Sequence, residues 1–149
     1  MSCVCVHVCT CVCISVYSLT PKHGPPHNLY LQESFDGLSS LKQLLIDHNR
    51  VEEIQPGAFT QLGSLNLLSL THNRLVYLPN MAFQGLLNIQ WLKLSHNSLN
   101  NLATEAFASL FTLARLGLDN NELQFFPTQT MTRYSYRPSA ARLFVISRY

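Results

Sequence analysis

Between residues 41 and 112, apolar and polar positions recur with a period of 24. Three copies follow one another without a gap. They are LKQLLIDHNRVEEIQPGAFTQLGS from Leu41, LNLLSLTHNRLVYLPNMAFQGLLN from Leu65 and IQWLKLSHNSLNNLATEAFASLFT from Ile89. In the first copy Leu44 and Ile46 alternate with Leu45, the two-residue period of a strand with one buried face. Leu68 with Leu70, and Leu92 with Leu94, repeat that alternation one and two copies on. A unit this short cannot bury its apolar face alone, so each copy needs its neighbours. Stacking predicts a parallel sheet with strands roughly 4.8 Å apart.

The remaining positions follow the same logic. Asn49, Asn73, Asn97 and Asn121 close each strand, where an inward amide bonds the free backbone groups of the bend. Val51, Leu75, Leu99 and Leu123 then return to the core, followed by Ile54, Leu78, Leu102 and Phe126. Phe59, Phe83 and Phe107 predict an aromatic spine, and Leu62, Leu86 and Leu110 complete the lining. A fourth copy opens at Leu113 and keeps register through Thr130 and Met131, then fails at Tyr134 and Arg137. Upstream, NLYLQESFDGLSS supplies the second half of a copy, with Phe35 and Leu38 in their slots and Pro25 where Asn belongs. The array therefore reads as a half repeat at 28–40, repeats at 41–64, 65–88 and 89–112, and a partial repeat at 113–131.

The skeleton L-x-x-L-x-L-x-x-N-x-L, recurring at this length, resembles the leucine-rich repeat. The expected fold class is an α/β leucine-rich repeat solenoid. It has a curved parallel sheet, an irregular, 3-10 or short helical convex side, and no caps.

Core positions recur while the positions between them vary, so the concave side carries a variable face on a fixed frame. Its first row is Gln43, Leu67, Trp91 and Arg115; its second is Leu45, Ser69, Lys93 and Gly117; its third is Asp47, Thr71, Ser95 and Asp119. Trp91 is the chain's single Trp and sits beside Leu67, a pairing of aromatic and aliphatic groups with charge around it that suits a binding hot spot. The simpler reading is that Trp91 packs on Leu67 and binds nothing. His48, His72 and His96 form another row at the strand exits, assigned with Gln43, Leu45, Leu67, Trp91, Lys93 and Arg115 to the partner-binding face. Three His suggest a metal. Asn120 takes the next place in that row, which favours a repeat position over a metal site, and no metal or other cofactor is expected.

Composition narrows the function. With 47% hydrophobic and 12% charged residues, the chain is globular rather than disordered. The net charge of +2 conceals an array that carries five Lys/Arg and eight Asp/Glu, a net of −3. Such an array lacks the basic stripe of a nucleic-acid binder. No Ser-His-Asp set, phosphate-cradling loop or carboxylate pair stands outside the repeat pattern, so no catalytic residue is assigned and an enzyme is not expected.

The flanks differ from the array. Residues 1–27 hold all five cysteines, from Cys3 to Cys13, in alternation with Val. A signal peptide lacks a basic start here. A cysteine cap lacks its spacing, and a membrane span is too weakly apolar. Cys-Val alternation is also what a TG dinucleotide repeat encodes, so the segment reads as artefactual or disordered. Residues 132–149 form a basic, non-repeating tail in which LFVIS is suited to a further strand at the sheet edge. No N-x-S/T sequon occurs.

The stretches GAFTQL, MAFQGL and EAFASL resemble secreted and cell-surface leucine-rich proteins. LVYLPNMAFQGL, WLKLSHNSLNNLATEAF and LDNNELQFFP are similar to the small leucine-rich family of the extracellular matrix, its chondroadherin-like members in particular. The resemblance covers about residues 28–133. It implies a secreted protein of the cartilage matrix that binds collagen and restrains fibril assembly and chondrocyte differentiation. The partner is then protein, with no membrane insertion by the array. The other reading is a fragment of a cell-surface adhesion or signalling receptor ectodomain.

Overall fold

The computed structural model describes Phe35 and residues 37–124, together with short strands at Cys11–Cys13, Leu29–Tyr30 and Phe144–Ile146. Ten strands follow in chain order: β1 (Cys11–Cys13), β2 (Leu29–Tyr30), β3 (Gln43–Leu45), β4 (Val51–Glu53), β5 (Leu67–Ser69), β6 (Tyr77–Leu78), β7 (Trp91–Lys93), β8 (Asn101–Leu102), β9 (Arg115–Gly117) and β10 (Phe144–Ile146). The main sheet has six strands in the order β1-β3-β5-β7-β9-β10. Its four central strands pair in parallel with the 24-residue register of the sequence, as in Leu44↔Leu68, Leu68↔Leu92 and Leu92↔Leu116. The ladder runs on past the strand ends, where the amide of Ile46 donates to Ser69 O, Leu70 to Lys93 O and Leu94 to Gly117 O.

Inward residues of these strands are fully buried, and the core is one cluster running from Phe35 to Leu118. The aromatic spine forms as expected and gains Phe35. Rings of Phe35, Phe59, Phe83 and Phe107 stack with centroids 5.8, 6.1 and 5.8 Å apart. Leu123 is half-buried against the cluster. Phe126, Thr130, Met131, Tyr134 and Arg137 lie outside the described residues.

The Asn positions act as a ladder. The amide of Asn73 donates to Ile46 O (2.8 Å) and Leu70 O (3.0 Å), and its oxygen accepts from Val51 N. Asn97 makes the same set to Leu70 O, Leu94 O and Leu75 N. Asn121 repeats it on Leu94 O, Leu118 O and Leu99 N. Each of these side chains thus ties its own bend to two points of the preceding repeat, a carbonyl before that repeat's Asn and the amide two residues after it.

Of the convex-side forms expected, irregular, 3-10 or short helical, the irregular one occurs: among the described residues there is neither a 3-10 nor a helical segment. The convex strands pair as β2 with β4 and β6 with β8. Between them run successive turns, such as Ala58 N to Gln55 O, Thr60 N to Gly57 O and Leu62 N to Phe59 O. Strand spacing explains this, since repeats about 4.8 Å apart leave no room for helices about 10 Å across without strong curvature. Gly85 marks one close approach. At φ +98° it sits against the preceding repeat, where an added Cβ would lie 2.4 Å from Thr60 Cα.

Of the two edges, one follows the expectation and the other departs from it. β10 lies beside β9, where LFVIS is suited to add a strand. β1 lies beside β3 with Cys11↔Gln43, so part of residues 1–27 joins the sheet at an offset unrelated to the 24-residue period. The rest of that segment lies outside the described residues.

Candidate functional site

Strand alternation sends one side chain inward and the next outward, so each strand supplies one frame residue between two face residues. The registers Gln43↔Leu67↔Trp91↔Arg115 and Leu45↔Ser69↔Lys93↔Gly117 assemble the rows expected from sequence. Gln43 and Arg115 are exposed, and Leu45, Leu67, Trp91 and Lys93 are half-buried. Trp91 does more than lean on Leu67. Lys93 Nζ lies 4.1 Å from the centroid of its ring and the Arg115 guanidinium carbon 5.2 Å from it. Both distances are within cation–π range, about 6 Å. Lys93 reaches the ring from two residues along the same strand, Arg115 from the register position on the next.

The second and third rows are less open than the alternation implies. Ser69 and Ser95 are buried. Asp47 Oδ1 accepts from Ser69 Oγ (2.6 Å), Thr71 N (2.8 Å) and Thr71 Oγ1 (2.8 Å). Asp119 Oδ1 accepts from Ser95 Oγ, and its Oδ2 accepts from the Asn120 amide. Gly117 makes room for this bridge, because a Cβ there would meet Ser95 Oγ at 3.0 Å. These two acids serve as cross-strand ties. Sequence reading missed them because the groups meet only once the copies are stacked; the available signal was a Ser or Thr one period away from each Asp.

At the strand exits the rings of His48, His72 and His96 stack at 4.2 and 4.3 Å, within about 11° of parallel. All three have φ near +55°, as does Asn120. His and Asn are among the residues that accept this left-handed backbone most readily, which accounts for the row. The pKa of His72 is lowered from 6.5 by loss of water between the rings, then by the charges of His48 and His96, against an upward pull from Asp47. Asn120 contacts His96 Nε2 at 3.2 Å, with Asp119 Oδ2 4.0 Å from the same nitrogen. Near-parallel rings carry their in-plane lone pairs side by side instead of converging on one point. The described residues hold no group of three or more His, Cys, Asp or Glu placed to bind a metal.

One feature of the opposite corner escaped the sequence reading. Leu87 and Phe111, one period apart, are 61% and 62% exposed just before β7 and β9. No helix among the described residues is long and apolar enough to cross a membrane.

Comparison with curated protein sequences gives no match. Among solved structures, the chain is similar to one in the crystal structure of the TLR13–ssRNA13 complex, with 33% identity and a TM-score of 0.60 over 62% of this chain. It is also similar to one in the Toll–Spatzle complex of Drosophila, with a TM-score of 0.62 over 68% of this chain. At 23% identity that second likeness concerns the fold alone. The chain spans only 13% of either of those chains. The leucine rich repeat family matches residues 31–75 and 64–123, more than half of the sequence. With the strand registers and the Asn ladder, this match places the chain in the leucine-rich repeat family.

Proposed function

We propose that residues 28–131 belong to the ligand-binding ectodomain of an extracellular leucine-rich receptor. They act without catalysis, holding a protein partner on the outward face of the sheet around Leu67, Trp91, Lys93 and Arg115. The observation that carries this is the row Gln43-Leu67-Trp91-Arg115, which varies in chemistry at every step on a frame that repeats beneath it. The likeness, at 33% identity, to a chain of the TLR13–ssRNA13 complex supports the receptor reading over a matrix one. Protein is favoured over RNA because the array is net negative. A rigid frame also helps, since little ordering is lost on binding.

A narrower reading rests on the resemblance of LVYLPNMAFQGL and LDNNELQFFP to the small leucine-rich matrix family. It makes the partner collagen, with restraint of fibril assembly. The two readings separate in one experiment on the full chain. A photo-crosslinking residue is placed at Gln43, on the outward face, or at Gln84, exposed in the convex turns. Each protein is then applied to intact cells and to fibrillar collagen. The receptor reading expects discrete adducts on cells from position 43, lost in Trp91→Ala, and none from position 84. Adducts on collagen with the same Trp91 dependence select the matrix reading. Adducts from position 84 alone, or from neither position, overturn both.

A further inference from the structure

We propose that Lys93 and Arg115, gathered over Trp91, are the binding site for an extended acidic segment of a protein partner, with two carboxylates two residues apart. This rests on the outward face being the protein-binding surface. Three observations lead to it.

The first is uncompensated charge. Ion pairs among the described residues join Arg74 to Glu52 and His96 to Asp119; neither involves Lys93 or Arg115. The nearby acids of the face are engaged elsewhere, Asp47 with Ser69 and Thr71, Asp119 with Ser95 and Asn120. Two cations therefore stand on a net-negative array, both against one indole ring and neither paired with an acid among the described residues. Cation–π contact holds them without neutralising them, so an incoming carboxylate meets full positive charge on a half-dry apolar floor.

The second is spacing. Both charges lie near one ring centroid, at 4.1 and 5.2 Å, so they are within about 9 Å of each other. An extended peptide places side chains i and i+2 on one face about 7 Å apart. Two acidic residues so spaced can each meet one cation, and the next apolar residue on that face falls toward Leu67.

The third is the shortness of the positive patch. Along the first row the cationic end gives way to Leu67 and Gln43. A nucleic acid or a sulfated polysaccharide carries charge at every unit and calls for a longer run of cations. A short acidic peptide does not.

Trp91 is the chain's only Trp, so its emission reports directly on this site. The test titrates the full chain with acetyl-Glu-Val-Glu-Val-Leu amide, with its Gln-Val-Gln-Val-Leu counterpart and with a uridine oligonucleotide. The expected result is a saturable change in Trp91 emission with the acidic peptide and binding about tenfold weaker to the Gln peptide. The double variant Lys93→Gln/Arg115→Gln, with an unchanged urea midpoint, loses that preference and binds both peptides alike. Equal binding of the two peptides by the native chain overturns the proposal and leaves the outward face as a protein-binding surface. No response to either peptide, tighter binding of the oligonucleotide, or a double variant that keeps its preference also overturns it. Loss of crosslinking from position 43 would instead remove the underlying reading.

Discussion

Two rows of side chains run through the same corner of every repeat, one residue apart. Asn49, Asn73, Asn97 and Asn121 point inward; His48, His72, His96 and Asn120 point outward. In the sequence the two rows recur almost equally well. In the structure they recur for different reasons. The side chains of Asn73 and Asn97 are buried, and each engages the carbonyls of two bends and the amide two residues past the preceding Asn. The His rings are exposed, and their shared property is a backbone φ near +55°. One row is required for its side chain, the other for the backbone its residue types accept. Recurrence alone therefore does not separate a hydrogen-bonding role from a conformational one, and neither implies a binding site.

This difference can be broken by substitution. Asn97→Ala leaves Leu75 N without its acceptor and removes one of the two Asn donors from Leu70 O and from Leu94 O, which Asn73 and Asn121 still reach. The expected cost is about 2–3 kcal/mol of unfolding free energy, read from urea denaturation. His72→Val removes no hydrogen bond of comparable kind but forces a β-branched residue into the left-handed region, at about 1–2 kcal/mol. His72→Asn should be within about 0.5 kcal/mol of the native chain, because Asn accepts that backbone and already occupies it at position 120. If His72→Asn were as damaging as Asn97→Ala, the outward row would have a side-chain role of its own.

The smallest effect is one of pH. The folded pKa of His72 lies below 6.5, so the unfolded chain binds its proton more readily. Stability from this group is complete above 6.5 and declines as pH falls from there through the folded pKa. The causes are loss of water first, then the like charges of His48 and His96, with Asp47 opposing. Urea midpoints measured between pH 7.5 and 5 should fall modestly in the native chain and less in His72→Asn. An equal slope in both would remove the stacked rings as its cause.

Much of the molecule was legible because a strict 24-residue period converts directly into strand register. Leu44, Leu68, Leu92 and Leu116 align as the spacing requires, and the Phe spine could be extended to Phe35 from its slot alone. The illegible parts are those that do not follow the period. The Cys11–Cys13 strand pairs with Gln43–Leu45 at an offset no repeat predicts. Turns replace helical segments even in LATEAFASL, which has no Gly or Pro to break a helix, because the width available to each repeat overrides local preference. In the site, the rows were readable and the openness of each position was not. Ser69 and Ser95 are covered because Asp47 and Asp119 reach across strands to them. The gathering of Lys93 and Arg115 over Trp91 depends on neighbours from two strands, which only the register brings together.

The account depends on a separation of roles within single strands: one side chain builds the frame and the next meets the partner. Leu67 and Leu68 test it most directly, because they are adjacent, chemically identical and face opposite ways, Leu67 half-buried and Leu68 with 0% exposure. Urea unfolding is compared for Leu67→Glu and Leu68→Glu in the full chain. The prediction is that Leu67→Glu keeps its midpoint within about 0.5 kcal/mol of the native protein, while Leu68→Glu loses more than about 3 kcal/mol or its cooperative transition altogether. Equal destabilisation by the two substitutions would contradict the account.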